Sequence, residues 1–530
     1  MSSQMTGSEK RALLLWVLAG IAGLVLAQRY FFRAFPEATV DFKVTRPQAL
    51  ARAKTFVGSV GENVDGYRTS VEFEVSQEEK VYIERELGLE KANQLSSSEI
   101  SLWYWNVRFY KILQEEEFKV EVSPTGQIVG YEHVLPAAKP GATIERGQAQ
   151  EIAQNFLLTK LGKDANEWTF LPEEANSDKK ANRLDWDFTW EKRGAKIKDA
   201  PYREKIHIAG DKPAGAEEGL QVPEEWRRSF ERLRSGNDTL ALVFTIPYLA
   251  ILGIAVWLAI LFTKNGETKW ALAVKLGAVA AGLLFLQALN DYPLWGAGYE
   301  TKDTYGQFVL LQILRALGFA IFTALTITLV LPSAEPLYRQ SQPGNLRLSQ
   351  AFTWRGLRTK EFFSSAVVGI SLAAAHIGFI VAFYIVATRF GAWAPADVNY
   401  SDSVNTSFPW ISGIAIGLLA SMNEEFTFRL FAIPFLTRIT GSRWIAVIVP
   451  AFLWGFLHSN YPQEPAYIRG IEVGLIGIVA GLVMLRWGIL ATLIWHYTVD
   501  ASLVGLLLIR SDNLYFKISG VLVGLAAAAP

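Results

Sequence analysis

Long apolar runs dominate the second half of the chain. They fall near residues 239–263, 270–289, 307–332, 363–387, 407–436, 444–458, 468–485 and 488–509. A helix that crosses the hydrocarbon core needs about 20 mostly apolar residues. An earlier run at 12–27 follows Lys10 and Arg11. The pattern predicts a multi-pass α-helical membrane bundle of about nine transmembrane helices.

Residues 36–236 form a polar stretch without a long apolar run. The segments RPQALARAKTFV, from Arg46, and RGQAQEIAQNFL, from Arg146, repeat Arg, Gln, Ala, Ala and Phe at the same spacing, 100 positions apart. Each has the periodicity of an amphipathic helix. Alternating aromatic stretches at 102–110 and 184–190 predict strands after each one. We expect a soluble α+β domain of two repeats of about 90 residues each. It resembles PepSY-like modules, with a generic α+β domain as the alternative.

Charge in the loops predicts how the chain crosses the membrane. Basic residues gather in alternate loops, at 264–269, 333–361, 437–443 and 486–487. The positive-inside rule places these loops in the cytoplasm, together with the N-terminus. Residues 36–236 then lie outside. We expect an integral membrane protein of a bacterial plasma membrane, the bacterial origin being inferred from the architecture.

The first apolar run allows two interpretations. Its length of 12–27 is short for a spanning helix, and Val25-Leu26-Ala27 offers the small residues of a signal-peptide cleavage site. Arg29 and Arg33 follow at once, and basic residues there disfavour cleavage. An uncleaved anchor over residues 1–35 is therefore the favoured interpretation.

Composition excludes several classes of function. Basic and acidic residues number 51 each, so the net charge is zero and the chain lacks the basic excess that is typical of nucleic-acid-binding proteins. The chain has no cysteine, which excludes disulfides, a thiol nucleophile and thiolate metal sites. Any histidine chemistry must use the five histidines of the chain, which are His133, His207, His376, His458 and His496.

The segment SMNEEFTFRLF places charges inside an apolar run. A charged side chain at the bilayer centre costs about 2.5–3.5 kcal/mol on insertion scales. Glu425 and Arg429 stand at i,i+4, share one helical face and can pair. Glu424 is rotated by about 100° from Glu425 and lacks that contact. One carboxylate therefore remains for another role.

Two further apolar runs bring groups that can handle protons. His496 and Asp500 share a helical face, and His458 ends a run in WGFLH. Two histidines with carboxylates can act as acid and base on a water molecule, or they can hold a zinc ion with an open position. The sequence has no HExxH and no serine paired with a base. His376 is expected to be a packed histidine, and Glu472 to lie at a helix end.

The ordered motifs resemble those of a known family. Glu424 to Arg429 fits EExxxR, His458 ends a motif of the FxxxH type, and His496 to Asp500 fits Hxxx(N/D). This order is similar to the CAAX-protease and bacteriocin-processing family, also called the Abi or CPBP family, which includes the Ras-converting CAAX endopeptidases. The resemblance covers about residues 360–510. Trp454 stands where the family usually has phenylalanine.

The resemblance implies a role for each motif residue. Glu424 would be the base that activates water, and His458 would position that water. His496 and Asp500 would stabilise the oxyanion, with Asp500 either protonated or orienting His496. Glu425 and Arg429 would shape the site.

A cofactor is left open by the sequence. The family resemblance favours a glutamate protease without a cofactor, and a zinc enzyme is the alternative. If a metal is used, its ligands would be Glu424, His458 and His496.

We therefore expect an intramembrane endopeptidase that cuts a membrane-associated or lipidated peptide or protein in the lipid bilayer. The alternatives are a non-catalytic membrane scaffold or immunity protein of the same fold, and an ion-coupled transporter. The predicted organisation is an anchor at 1–35, a soluble domain at 36–236, additional transmembrane helices at 237–361, a protease core at 362–512 and an apolar tail at 513–530.

Overall fold

The computed structural model describes residues 5–38, 40, 42–351, 353–398, 405–511 and 513–528. The chain forms two compact units. Met1–Pro36, Phe230–Asp291 and Ile313–Pro530 make up the helical unit. Glu37–Ser229 and Tyr292–Gln312 make up the sheet unit.

The α-helices are numbered in chain order. They are α1 (Gly7–Ala34), α2 (Arg46–Ser59), α3 (Gln77–Leu87), α4 (Leu89–Ser98), α5 (Arg146–Thr159), α6 (Glu224–Lys264), α7 (Trp270–Asn290), α8 (Tyr305–Ser341), α9 (Leu348–Ala351), α10 (Lys360–Thr388), α11 (Pro409–Glu424), α12 (Ile433–Thr440), α13 (Arg443–Leu457), α14 (Ile468–Trp487), α15 (Ile489–Arg510) and α16 (Leu514–Ala528). A π-helix, Glu425–Ala432, joins α11 to α12 without a break.

Seven of the described helices are long and apolar enough to cross a membrane, namely α1, α6, α7, α8, α10, α14 and α15. The apolar helices α13 and α16 are shorter. The helices α11 and α12 are interrupted by the π-helix. The prediction of a helical membrane bundle is confirmed, and the count of about nine spans stays a prediction.

Local sequence explains where several helices begin and end. Thr6 and Glu9 form a capping box at the start of α1, in which each side chain accepts from the other's backbone N–H. The helix α12 ends at Gly441, whose φ of 67° lies in the left-handed region that glycine adopts without strain. This stop separates α12 from α13, so that two motif-bearing segments become neighbouring helices.

The sheet unit is built on antiparallel strands. The strands of the chain are β1 (Glu37–Ala38), β2 (Arg68–Val75), β3 (Trp103–Tyr110), β4 (Glu117–Val122), β5 (Ile128–Val134), β6 (Trp168–Phe170), β7 (Asn176–Lys179), β8 (Leu184–Lys192), β9 (Tyr202–Ala209), β10 (Lys212–Leu220) and β11 (Asp397–Val398). Nine of them form one sheet in the order β2-β3-β4-β5-β10-β9-β8-β6, and β7 pairs with β8. The predicted α+β character of this region is confirmed.

The two helices of the proposed repeat pack close together beside this sheet. Phe56 of α2 and Phe156 of α5 are both buried, and their ring centroids lie 6.3 Å apart. The strands after α2 and those after α5 meet at the pair β5–β10. This strand order is compatible with two copies of the same helix-and-strand repeat. The repeat itself stays a prediction.

A later segment of the chain also belongs to the sheet unit. The segment between α7 and α8 packs on β3, where the Arg108 guanidinium donates to the carbonyl oxygens of Tyr299, at 2.7 Å, and Ala297, at 3.2 Å. Arg68 of β2 stacks on the Tyr305 ring at 4.1 Å. No pattern in the sequence predicts this packing, since the residues between α7 and α8 are typical of a loop.

Close helix packing in the helical unit depends on small residues. A Cβ added at Gly455 of α13 would lie 2.3 Å from the carbonyl oxygen of Gly470 on α14. A Cβ at Gly378 of α10 would lie 2.5 Å from the Cα of Gly23 on α1. These contacts fix α13 against α14 and α10 against α1, and they hold the helix ends that carry the polar residues.

Candidate active site

Three neighbouring segments carry the predicted site residues. The junction of α11 with the π-helix carries Glu424 and Glu425, and α13 ends at His458. The helix α15 presents His496 and Asp500 from its middle turns. The sequence motifs lie far apart in the chain and converge because α11, α13 and α15 pack together.

The π-helix begins at the second glutamate. Its residues, Glu425 to Ala432, are all buried. A π-helix widens the backbone to an i→i+5 pattern, and such segments occur frequently at functional sites. The change of helix type between Glu424 and Glu425 helps to direct these adjacent carboxylates differently. The hydrophobic periodicity of the sequence does not predict this π-helix, because π-helices have no distinct residue signature.

Glu425 is the centre of a buried ion pair. Its Oε1 accepts from Arg429 Nη1 at 3.0 Å and from His496 Nδ1 at 2.9 Å. Glu425 is fully buried and Arg429 is 1% exposed. The Arg429 guanidinium also stacks on the Trp454 ring at 4.0 Å. Since a buried charge is stable only when it is paired and hydrogen-bonded, these contacts hold one another in place.

Glu424 is the accessible member of the pair. Its side chain is 23% exposed, and its Oε2 accepts a hydrogen bond from the Trp454 indole N–H. The same oxygen lies 3.7 Å from His496 Nε2. Asp500, which is 26% exposed, approaches that nitrogen to 3.6 Å. Two accessible carboxylates therefore border one face of a histidine whose other nitrogen is held by Glu425.

His458 adjoins this group without a direct hydrogen bond to it. Its Nδ1 donates to the Trp454 carbonyl oxygen at 2.8 Å, one turn earlier in the chain. The Nδ1–H is therefore occupied, and Nε2 takes no part in this hydrogen bond. The ring of His458 lies edge-on to the ring of Trp454, with centroids 5.4 Å apart, and Trp454 holds Glu424. All of the predicted site residues thus lie in one cluster, with His458 at its edge.

The site residues can be compared with the ligands that a metal ion would need. No group of three histidine or acidic side chains in the described ranges has the geometry of a metal site. In the alternative ligand set of Glu424, His458 and His496, each histidine uses Nδ1 in a hydrogen bond and keeps Nε2 available for a metal ion or a water molecule. The arrangement fits acid–base chemistry on a water molecule, with a donor at His496 beside it.

Two contributors to the site were missed or undervalued from the sequence. The sequence shows Trp454 only as a replacement for phenylalanine, yet its N–H donates to the carboxylate of Glu424. Tyr248 of α6 stacks on Phe428 of the π-helix, with ring centroids 5.7 Å apart. The replacement of the family's phenylalanine by tryptophan was a signal that could have identified Trp454. No sequence signal pointed to Tyr248.

A second polar group lies beside the site. Glu472 was expected at a helix end, and it does lie in the second turn of α14, but it is fully buried and paired with Arg469. His376 of α10 was expected to be packed, and it is buried at 3.8 Å from Glu472. These residues form a cluster of their own.

Known proteins match the part of the chain that carries the site. A model of the family described as type II CAAX prenyl endopeptidase Rce1-like matches residues 406–502. The sporulation-killing factor biosynthesis protein SkfC of Bacillus subtilis (strain 168) is 27% identical over 99 residues, which are 19% of this chain and 20% of that protein. The chain thus covers about a fifth of the length of this curated relative. No solved structure matches the chain.

The family resemblance predicted from the motifs is confirmed for this segment. Residues 406–502 include Glu424, His458, His496 and Asp500. Together with the seven apolar helices, the match supports an integral membrane protein in which residues 406–502 resemble a protease family. The resemblance of the sheet unit to PepSY-like modules stays a prediction.

Proposed function

We propose that the chain is an intramembrane endopeptidase that hydrolyses a peptide bond of a membrane-associated or lipidated substrate, using a water molecule activated by Glu424. One observation carries the proposal: the accessible carboxylates of Glu424 and Asp500 border the same nitrogen of His496. The match to a protease family over these residues supports it.

The chemistry follows from the positions of these groups. Glu424 takes a proton from water, and the water oxygen adds to the carbonyl carbon of the substrate. The carbonyl oxygen gains negative charge, and His496, as an imidazolium with protons on both ring nitrogens, donates its Nε2–H to it. Glu424 then passes the proton to the leaving amine as the C–N bond breaks. The products are a free carboxyl end and a free amine end.

The surrounding residues position these reacting groups. The Nδ1–H of His496 donates to Glu425, which fixes the ring and leaves Nε2 toward the substrate. The charge of Arg429 stabilises Glu425. Asp500 orients the Nε2–H of His496 from 3.6 Å, so that it has no need to donate to the oxyanion itself. His458 positions the attacking water through Nε2.

No metal is part of this proposal. Glu424 acts as the base, His458 positions the water molecule, and His496 donates to the oxyanion. We therefore expect cleavage to persist after treatment with a metal chelator. Loss of cleavage on chelation, with recovery on addition of Zn²⁺, would replace this mechanism with a metal-dependent one.

The depth of the site selects the substrate class. Glu424 is the last of the 16 residues of α11, so it lies about 24 Å along that helix. A peptide bond must enter the hydrocarbon core to reach it, since that core is about 30 Å thick. A substrate held in the membrane by its own apolar segment or by a lipid meets this requirement.

The orientation of the site is also part of the proposal. Contacts of Glu9 with Lys360 and of Glu267 with Arg339 bring the predicted cytoplasmic ends together. At the opposite end Asn237 donates to the Gln463 carbonyl oxygen at 2.9 Å, near His458. The positive-inside rule then places the end near His458 outside. We expect substrates that reach the site from that face.

The deciding experiment compares membranes that contain the wild type with membranes that contain Glu424→Gln. New peptide ends are mapped across the membrane and exported proteome. The matched control is Glu335→Gln, because Glu335 is a largely buried carboxylate that pairs with Arg339 on α8, outside the site. Both variants must be present in equal amounts in the membrane.

We expect a set of peptide ends that disappears with Glu424→Gln and persists with Glu335→Gln. The sequences of those ends identify the substrate and the face of cleavage. Identical maps for the wild type and Glu424→Gln would overturn the proposal. An ion flux that depends on Glu424, with identical maps, would favour a transporter instead.

A further inference from the structure

The polar cluster of His376, Arg469 and Glu472 has no role in the catalytic mechanism proposed above. Glu472 is fully buried, His376 is 8% exposed, and Arg469 pairs with Glu472. A polar group of this size between membrane helices is costly unless something satisfies it. The position of the cluster beside the active site indicates which partner satisfies its polar atoms.

Several atoms of this cluster lack a protein hydrogen-bond partner. They are both ring nitrogens of His376, Oε1 of Glu472 and Nε of Arg469, judged against the described part of the chain. The distance of 3.8 Å between His376 Nε2 and Glu472 Oε1 exceeds that of a hydrogen bond. Buried polar atoms of native proteins are satisfied by protein or by ordered water in the great majority of cases.

The charges and the mixed polarity of the cluster favour water over an ion. The charges of Arg469 and Glu472 cancel. The unsatisfied atoms include a donor at Arg469, an acceptor at Glu472 and either role at His376. An anion would meet Glu472, and a cation would meet Arg469. A water molecule both donates and accepts, and it needs two to four such partners.

The helix next to this cluster provides an independent observation. The 15 residues of α13 span about 22 Å, less than the thickness of the hydrocarbon core, which is about 30 Å. With Arg443 at the predicted cytoplasmic face, the irregular segment 458–467 would begin at membrane depth. Irregular backbone at that depth occurs where it is buried in protein or lines a water-filled cavity. Ser459 in this segment is fully buried.

The cluster is also coupled to the catalytic residues. The Arg469 guanidinium stacks on the ring of Tyr461 at 5.2 Å. Tyr461 in turn stacks on the ring of His458, with centroids 6.3 Å apart. A water molecule held by this cluster is thus next to the place where hydrolysis consumes one.

We propose that His376, Arg469 and Glu472 form a water-binding site that supplies the active site with its second substrate. This inference rests on the proposed function for the use of the water, and on the structure alone for its binding. The role of the cluster is to retain water inside a bundle that otherwise excludes it. It gives the buried histidine and glutamate a function in addition to packing.

Radiolytic hydroxyl-radical labelling of the full-length protein in lipid nanodiscs tests this directly. Radicals formed from bound water oxidise the side chains next to it, even when these are buried. Trp495, which is 1% exposed, lies 5.6 Å from the His376 ring, centroid to centroid. Phe431 is fully buried in an apolar cluster and serves as the reference. We expect Trp495 to be labelled at least tenfold faster than Phe431, after correction for intrinsic reactivity.

Variants separate water binding from structural support. Glu472→Leu is expected to lower Trp495 labelling to the rate of Phe431 and to reduce Glu424-dependent cleavage at least tenfold. Glu472→Gln, which keeps two polar atoms, is expected to retain the labelling. Glu335→Leu removes a carboxylate from the Arg339 pair on α8 and should change neither result.

The outcomes decide between the claims. Slow labelling of Trp495 in the wild type overturns the water site, whether or not Glu472→Leu folds. Fast labelling that is unchanged in folded Glu472→Leu assigns the water to other residues and also overturns it. If labelling depends on Glu472 and no cleavage depends on Glu424, the proposed protease function fails while the water site stands.

Discussion

The indole N–H of Trp454 donates a hydrogen bond to the carboxylate of Glu424. The same indole ring carries the guanidinium of Arg429 at 4.0 Å. One side chain thus contacts both the proposed base and the cation that stabilises its neighbour. A phenylalanine, which the family resemblance leads one to expect at this position, would keep the ring and lose the donor.

Trp454→Phe tests the importance of that donor. A hydrogen bond to a charged group contributes about 1.5–3 kcal/mol, so we expect cleavage to slow by roughly ten- to a hundredfold. The rate at which Glu424-dependent peptide ends appear is the measurement. The matched control is Trp495→Phe, because the Trp495 N–H has no partner among the described residues.

A wild-type rate for Trp454→Phe would mean that packing alone holds Glu424. Equal losses for Trp454→Phe and Trp495→Phe would point to the aromatic volume instead of the donor. The expected pattern is a loss for Trp454→Phe without a comparable loss for the control.

Arg429→Met should destabilise the helical unit. The change leaves the buried Glu425 with His496 as its remaining partner, and breaking a buried ion pair by removing one member costs about 3–5 kcal/mol. Thermal unfolding in detergent, followed by tryptophan fluorescence, measures the loss. The control is Arg228→Met, which breaks an exposed i,i+4 pair with Glu224 and should cost about 0–1 kcal/mol. Equal effects of the two changes would contradict the structural role of the buried pair.

Much of the site could be predicted because helical spacing is regular. The i,i+4 distance from Glu425 to Arg429 predicts a shared face, and the pair forms at 3.0 Å. The same spacing brings His496 and Asp500 together at 3.6 Å. Charges inside apolar runs identify the segments that must meet, since an unpaired charge is costly there.

The remaining features depend on contacts between segments that have no fixed spacing. Whether Trp454 faces lipid or Glu424 is decided by the rotation of α13 against the π-helix. The pairing of Arg469 with Glu472 follows from i,i+3, but their burial beside His376 depends on how α10 packs on α14. The interruption of the long apolar run by a π-helix also divides what hydropathy presents as one span.

The contact of α13 with α14 gives a prediction about geometry. A Cβ at Gly455 would lie 2.3 Å from the Gly470 carbonyl oxygen and 2.7 Å from the Gly474 nitrogen, so one helix must move. His458 follows three residues later and moves with it. We expect Gly455→Ala to destabilise the protein by about 1–3 kcal/mol and to reduce cleavage.

Gly282→Ala is the control for this substitution. Gly282 lies on α7, where an added Cβ meets nothing within 4 Å. Alanine favours a helix over glycine by about 1 kcal/mol, so stability should hold or rise slightly. Thermal unfolding and peptide-end mapping measure both variants. Full activity of Gly455→Ala would show that α13 and α14 can separate without displacing His458.

The sheet unit should lose stability as the pH rises. Burial raises the pKa of Glu79 from 4.5 to about 8. Below pH 4.5 the group is protonated in the folded and unfolded states alike. Between pH 4.5 and 8 the unfolded chain loses its proton first, so unfolding becomes easier by on the order of 4 kcal/mol.

Hydrogen exchange of β10 in the full-length protein measures this effect, since Glu79 accepts from the Leu220 N–H at 2.9 Å. After correction for intrinsic exchange rates, protection should be lower at pH 8.5 than at pH 6. Glu79→Gln should remove most of the difference because it has no proton to lose, whereas Glu90→Gln on the exposed face of α4 should leave it intact. The same slope in the wild type and Glu79→Gln would assign it to other carboxyl groups, such as Glu204, whose pKa burial also raises to about 8.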